Sequence, residues 1–312
     1  RLHMPAALVA AWVGLLGVVA ERAMIPRLLQ HIAACNRGCE VLARGGRSFV
    51  VGGTSVGVVL PQAAEVLARY ESAFDVRDDA VVLKGAGGSL EDRSAVIREV
   101  LEDLRRSGDV PMLEGWRDEL WPAKTDFHAE PAVLVERAAV PLFGIRGYGC
   151  HVNGLHGNSA LWVAQRSASK PTYPGLLDHM VAGGLEHGEL PSDCVRKECW
   201  EEASLPAEVA ALARPASMVT YTSVDETGWG VKRDTVFCYD LPVPDGVEPV
   251  PNDGEVDFFR PVPLDEVLVS ITDEPERWKP NVVLVVIDLL VRLGKIDPDQ
   301  PAFVSLVHAL RQ

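Results

Sequence analysis

The chain is short of positive charge. It has 30 lysines and arginines against 44 aspartates and glutamates, a formal net charge of −14 over 312 residues. Nucleic-acid backbones and anionic membranes are gripped through Lys and Arg, so neither is expected as a partner. Small phosphorylated molecules stay possible, because a bound metal can neutralise them locally. The six cysteines (Cys35, Cys39, Cys150, Cys194, Cys199, Cys238) include no C-x-x-C pair, and no second Cys/His pair completes a zinc site with Cys35 and Cys39. Free, buried thiols in a reducing cytoplasm are the expectation. No apolar run reaches the ~20 residues of a membrane span. "PAALVAAWVGLLGVVA" (Pro5 to Ala20) has the length of a signal-peptide core or a buried helix, but no clean small-x-small cleavage site follows. "GGTSVG" and "KGAGGS" lack the G-K-[ST] that would close a P-loop and read as turns. Internal repeats and low-complexity tracts are missing too.

What is present is an ordinary globular composition, 47% hydrophobic and 24% charged, on a chain long enough for one large or two modest domains. Met24 opens "MIPRLLQHIAACN", an amphipathic first helix, so residues 1–23 are expected to be an upstream extension. Residues 24–43 read as a helix, Arg47 to Leu60 as two strands around a Gly-rich turn, Gln62 to Tyr70 as a helix and Ala80 to Gly85 as a strand. Ser89 to Gly108 is a helix with a Ser cap, early acids and late bases, the order the helix dipole favours. This alternation predicts a small α/β or α+β module over 24–130. Residues 131–312 form a second domain. It begins strand-rich: Ala139 to His156, Ser159 to Ser167, Leu176 to Gly184, Ala216 to Val224 and Asp234 to Val243. It ends in helices over about Pro280 to Leu293 and Pro301 to Arg311. "NVVLVVIDLLVRLG" (Asn281 to Gly294) carries Asp288 and Arg292 and reads as a buried helix.

"GGLEHGELPSDCVRKECWEEASL" (Gly183 to Leu205) packs five glutamates into one stretch. Like charges at i,i+4 destabilise a helix by a few tenths of a kcal/mol each, so a positive partner is needed. Pro191 suits a first helical turn, and nothing breaks the helix before Ala203. Glu198, Glu201 and Glu202 then share one face, with Arg196 and Lys197 beside it. Gly183, Gly184 and Gly188 let the preceding loop bend and bring carbonyls close. Such an oxygen-rich cage suits Mg²⁺ or Mn²⁺, which can bind a diphosphate and activate water. The bland alternative is a solvated acidic helix face.

The spacing resembles the Nudix hydrolase box, G-x5-E-x7-R-E-U-x-E-E-x-G-U with U a bulky apolar residue. Gly183, Glu189, Glu198, Glu201, Glu202 and Leu205 are in register. Lys197 replaces the Arg, Cys199 is a small residue at a U position, and Ser204 replaces the Gly, which asks for a different helix exit. "WVAQRSASKPTYPGLLDHMVAGG", "GWRDELWPAK", "YGCHVNG" and "KPNVVLVVIDLLVRLGKI" look like the branch of thiamine-pyrophosphokinase-associated Nudix proteins of fungi and plants. There an N-terminal module precedes the Nudix fold, and the likeness covers roughly residues 24–312. The resemblance implies a Nudix α/β/α sandwich with a mixed sheet. It also implies hydrolysis of an X–diphosphate, with thiamine diphosphate or its oxo and oxy analogues cut to the monophosphate as the suggested reaction.

By the same resemblance Glu198, Glu201 and Glu202 are catalytic metal ligands, with the Gly183 carbonyl as a further one. Glu189 is an auxiliary ligand or orienter, and Lys197 sets a glutamate rotamer. Glu255, in "PNDGEVDFF", is a candidate general base, and a solvated turn acid is the alternative. Trp116, Trp121, Tyr173 and Trp229 are candidates for stacking on a substrate ring, although most tryptophans are core. Arg166 and Lys170 could touch phosphates. His151, His156 and His187 lack ligand spacing and read as loop or satisfied polar residues. Two other readings compete: a hydrolase of ADP-ribose or NADH-type dinucleotides, and a non-catalytic ligand-binding or sensor module. Isopentenyl-diphosphate isomerases share a similar run but need a cysteine in the strand before the box, and "LLDHMVAGG" has none. The oligomeric state is open between monomer and homodimer.

Overall fold

Alternating apolar residues and turn glycines give the N-terminal segment its sheet. The computed structural model describes residues 24–85, 87–157 and 159–311; the expected extension, 1–23, lies outside them. Helix α1 (24–35) is followed by α2 (Arg37–Ala43), β1 (Arg47–Val51), β2 (Thr54–Val59), α3 (Pro61–Leu67), β3 (Phe74–Val76), β4 (Ala80–Leu83) and α4 (Leu90–Ser107). The strands pair in the order β2-β1-β4-β3, with β1 and β4 parallel. Ser89 caps α4 in a reciprocal box with Asp92, and Gly108 closes it in the left-handed conformation, as the sequence predicts. A hairpin of β5 (Leu120–Ala123) and β6 (Val133–Glu136) covers α4.

The helix predicted over 24–43 is two helices. Asn36 interrupts it: its Nδ2 donates to Ile32 O, and its Oδ1 accepts from Thr222 N at 2.9 Å. Gly38 then lies so close to the chain at Thr222 that a Cβ would stand 2.7 Å from Thr222 O. A tertiary contact therefore sets the break.

The second sheet has seven strands. These are β7 (Arg146–His156), β8 (Ala160–Arg166), β9 (Leu177–His179), β10 (Val181–Gly184), β11 (Arg214–Val224), β12 (Val231–Val243) and β13 (Val256–Pro263). The main path is β11-β12-β7-β8-β13, with β12 and β7 parallel and the other pairs antiparallel. The single strand expected over Leu176 to Gly184 is split at Met180. β9 pairs with β8, whereas β10 pairs with β7. β7 therefore changes partner along its length, β10 over Gly149–Val152 and β8 over Gly154–His156. The sheet splays at that point, and the splay opens the site.

Helices cover both faces, giving the α/β/α sandwich. On one face lie α5 (Pro191–Ala203) and α6 (Ala207–Ala210), around Val152, Val181, Cys194, Val195 and Leu241. On the other lie α7 (Leu264–Asp273), α8 (Pro280–Arg292) and α9 (Phe303–Ala309). α8 is buried from Val282 to Leu290, as expected of a helix apolar all round. Its Asp288 is neutralised by Arg292 (2.8 Å) and Arg311 (2.6 Å). α1 packs on this face too, through Ile25, Leu28 and Ile32, so the first helix of the N-terminal segment belongs to the C-terminal core. The segment's own sheet joins β7 through the preceding residues: Val58 N donates to Phe143 O at 2.9 Å, and Phe49 and Phe143 stack at 4.6 Å. All six cysteines are free, and among the described residues no helix is long and apolar enough to cross a membrane.

Candidate active site

α5 starts at Pro191 and ends where Ser204 turns left-handed at φ 51°. Ser204 N returns to Trp200 O, the closing bond of an αL cap, and Leu205 N to Cys199 O. The exit is thus the one a glycine would make, with Ser204 in the strained conformation itself; no different exit is used.

The glutamate face lies over β10. Glu202 Oε2 accepts from Ala182 N at 2.9 Å. Glu198 presses on the bare Cα of Gly183, where a Cβ would stand 2.6 Å from its Cδ. Lys197 Nζ lies 3.1 Å from Glu189 Oε1 and 3.5 Å from Glu198 Oε1. Burial works against the Lys197 charge, but the two glutamates outweigh it and raise its pKa. Burial pushes Glu198 up to about 7, with Lys197 opposing and Glu201 adding. Burial pushes Glu202 well above the carboxylate range; the Ala182 N–H offsets this, and Glu198, Asp178 and Glu255 add to it. Desolvated like-charged oxygens with one lysine at their edge lack positive charge. That donor set fits a hard divalent cation held by Glu198, Glu202 and the Gly183 carbonyl.

Glu201 is exposed at the rim, outside the cavity wall. Glu189 is tied to Lys197 and to the Glu186 N–H and does not line the cavity. Arg196 pairs with Asp193 instead of a box glutamate.

Glu198, Glu202 and Gly183 form the floor of a cavity of about 870 Å³. Lys170, Tyr173, Arg166 and Glu255 also line it. Glu255 is ion-paired with Lys170. Tyr173 donates to Glu226 at 3.2 Å, and burial pushes its phenol up to about 12. Arg166 has a different job from the one its position suggests. It donates to Asp178 (2.8 Å), Thr172 O (2.8 Å) and Tyr173 O (3.1 Å), so its guanidinium clamps the loop before β9.

Two of the proposed stacking residues are elsewhere. Trp116 lies under Arg105, 5.0 Å from its ring, and donates to Asp118. Trp229 packs against the N-terminal core. Both are taken up by that core, and neither lines the cavity. Trp121 does line it.

His151 is a satisfied polar residue on a strand, not in a loop. It sits buried on β7 with Nδ1 2.8 Å from Nδ1 of His179, a partner that β9 supplies from 28 residues away. With Asp178 they present ligand atoms within 4.8 Å of one another, a set that could hold a metal ion. Asp178 is already bound by Arg166 and Lys279, whose charges oppose a cation. Burial, the His partner and Lys279 push the His151 imidazole well down, so one neutral ring donating to the other fits better. Asp178, His179 and Lys279 carry no local sequence signal; β9 sets Asp178 and His179 beside β8, and Lys279 reaches Asp178 from the start of α8.

Two families match the chain: a domain of unknown function (DUF4743) over residues 27–147 and the NUDIX domain over 146–282. Nudix hydrolase 20, chloroplastic, of Arabidopsis thaliana is 38% identical over 90% of this chain and 77% of its own. The chain belongs to the Nudix hydrolases. Nudix hydrolase 24, chloroplastic, of the same plant is 36% identical over 91% and 77%. An isopentenyl-diphosphate Delta-isomerase of Klebsiella pneumoniae is 27% identical over 51% of this chain and 84% of its own. Among solved structures, the MutT protein of Methanosarcina mazei matches at TM-score 0.36 and 15% identity, over 49% and 96%. The N-terminal part of this hydrolase, the part matched by DUF4743, thus lines the cavity beside the box.

Proposed function

We propose that this Nudix hydrolase is a Mg²⁺- or Mn²⁺-dependent diphosphatase. Its substrate is an organic X–diphosphate, thiamine diphosphate or an oxidised analogue by the branch resemblance, and its products are the monophosphate and phosphate. The observation that carries the reading is the pair of desolvated carboxylates, Glu198 and Glu202, facing a cavity with Lys170, Lys232 and Lys279 on its walls. A bound cation would supply charge neutralisation for the diphosphate. The chain's residues do the rest. Gly183 leaves room for Glu198, the Ala182 N–H fixes Glu202, and Lys197 holds Glu198 and Glu189. Glu255, steadied by Lys170, is the carboxylate free to take a proton from water as its oxygen bonds to phosphorus and the anhydride P–O bond breaks. The cysteine of the isomerase mechanism has no counterpart in Val181–Gly184, which favours hydrolysis over isomerisation.

The test is phosphate or monophosphate release at pH 8 with Mg²⁺. The panel holds thiamine diphosphate, oxothiamine diphosphate, ADP-ribose, NADH, a nucleoside triphosphate and isopentenyl diphosphate, with Glu202→Gln as the blank. Preferential cleavage of the thiamine compounds is expected. Cleavage of ADP-ribose or NADH instead would keep the chemistry and discard the substrate. Binding without turnover would move the protein to a sensor role.

A further inference from the structure

The N-terminal segment enters the cavity through the β5–β6 hairpin and its flanks, which place Arg117, Trp121 and Arg137 on the wall beside the box. The indole is seated on bare backbone. A Cβ at Gly184 would lie 3.0 and 3.1 Å from its Cζ2 and Cη2, and a Cβ at Gly147 3.4 Å from its Cζ3. Neither glycine has a positive φ, so chain conformation does not demand them; at Gly184 the space is taken by Trp121, whereas at Gly147 a Cβ would first meet Asp234 Oδ1 at 2.5 Å. Gly184 directly follows Gly183, the residue against which Glu198 packs, so the indole stands one residue from the carboxylate floor. Its Nε1 is enclosed and has no hydrogen-bond partner among the described residues. No hydrogen bond of the fold therefore accounts for the ring's position.

Two guanidiniums accompany the ring. Arg137 lies 5.3 Å from the indole centroid and is anchored by Glu119 at 2.7 Å. The stack holds both side chains in one orientation. Arg117 is exposed, and its side chain forms no ion pair among the described residues. In a chain of net charge −14, a hairpin that turns two forked cations toward a cavity with a carboxylate floor is arranged for an anion. Guanidinium forks match phosphate oxygens in pairs.

We propose that Arg117, Trp121 and Arg137 form the specificity wall of the hydrolase site. The guanidiniums hold the phosphate group farther from the glutamate cage, and the indole sets the width of the slot through which the organic group leaves. The N-terminal family thereby has a job: it selects which organic diphosphate reaches the box. This rests on the diphosphatase reading of the same cavity.

The experiment uses the full chain with imidodiphosphate, a diphosphate mimic that is not hydrolysed at its bridge, titrated calorimetrically with Mg²⁺ present. Arg117→Ala, at an exposed position, is expected to weaken binding about tenfold, about 1.4 kcal/mol, and Arg117→Lys to recover part of that. Mn²⁺ affinity, which reads the glutamate cage, stays unchanged. Trp121→Phe is expected to change the ratio of kcat/KM between thiamine diphosphate and ADP-ribose at least fivefold, mainly through KM. Wild-type affinity in Arg117→Ala together with an unchanged ratio in Trp121→Phe overturns the wall and leaves hydrolysis standing. Wild-type protein that binds imidodiphosphate, loses it with Arg117→Ala and turns over nothing supports the wall and sinks the hydrolysis. Wild-type protein that does not bind imidodiphosphate overturns both.

Discussion

Replacing Gly183 by alanine separates the chemistry of the site from the stability of the fold. The added Cβ would stand 2.5 Å from Glu198 Oε1 and 2.6 Å from Cδ. Non-bonded heavy atoms settle at about 3.5–4.0 Å, so the carboxylate has to move by about 1 Å. The backbone does not resist, because Gly183 has no positive φ. Gly→Ala at such a site stabilises by about 0.4–1 kcal/mol through the unfolded chain. Forcing Glu198 off its rotamer costs about 0.5–1.5 kcal/mol. The two nearly cancel, and Tm is expected to move by no more than about 3 °C. Activity has no such compensation: a displacement of about 1 Å in a positioned group costs on the order of 10²-fold. The assay pairs kcat/KM for phosphate release with thermal unfolding of the same sample. A variant of normal Tm whose kcat/KM stays within threefold of wild type would refute the idea that bare backbone at 183 positions Glu198.

The buried imidazole pair makes stability depend on pH. Burial is the main cause that lowers His179, to about 4. At neutral pH its ring is uncharged folded and unfolded; below about 6.5 only the unfolded chain takes the proton, so stability falls as pH drops toward 4. From His179 alone the loss between pH 7.5 and pH 5 is about 2 kcal/mol, and His151 adds to it. Glu198 and Glu202, whose carboxyls burial raises, shift stability the opposite way over this range. Urea melts of wild type and of His179→Gln at the two pH values therefore read the histidine term as a difference, and the same pH dependence in both would rule it out. Ser204→Gly removes a left-handed non-glycine and is expected to stabilise by about 0.5–1 kcal/mol; denaturation showing a loss would mean that the serine side chain compensates. Asp288→Ala strips Arg311 and Arg292 of a buried partner and is expected to cost about 2–4 kcal/mol. Arg292 also donates to Asp240 at 3.0 Å, and an unchanged urea midpoint would show that this contact alone suffices for it.

Local rules carried the sequence reading a long way. The Ser89 cap, the Pro191 start and the glutamate spacing depend on neighbours a few residues apart, so α4 and α5 were legible with their bounds. Of the face expected to carry Glu198, Glu201 and Glu202, only Glu198 and Glu202 line the cavity, and Glu201 is exposed outside it. The uninterrupted apolar run of α8 marked it as buried. Contacts between distant segments were not legible. Asn36 breaks a helix because of Thr222, and Met180 divides a strand because β7 and β8 each claim half. His151 meets a partner 28 residues away on another strand. Equally bulky tryptophans part company: Trp116 and Trp229 go to the N-terminal core, whereas Trp121 lands on Gly184. By itself the sequence determined the helix of carboxylates, since spacing of 3.6 residues per turn needs no other information. Only the tertiary structure decided what that helix faces, because the splayed sheet and the inserted hairpin bring together residues that no local period relates.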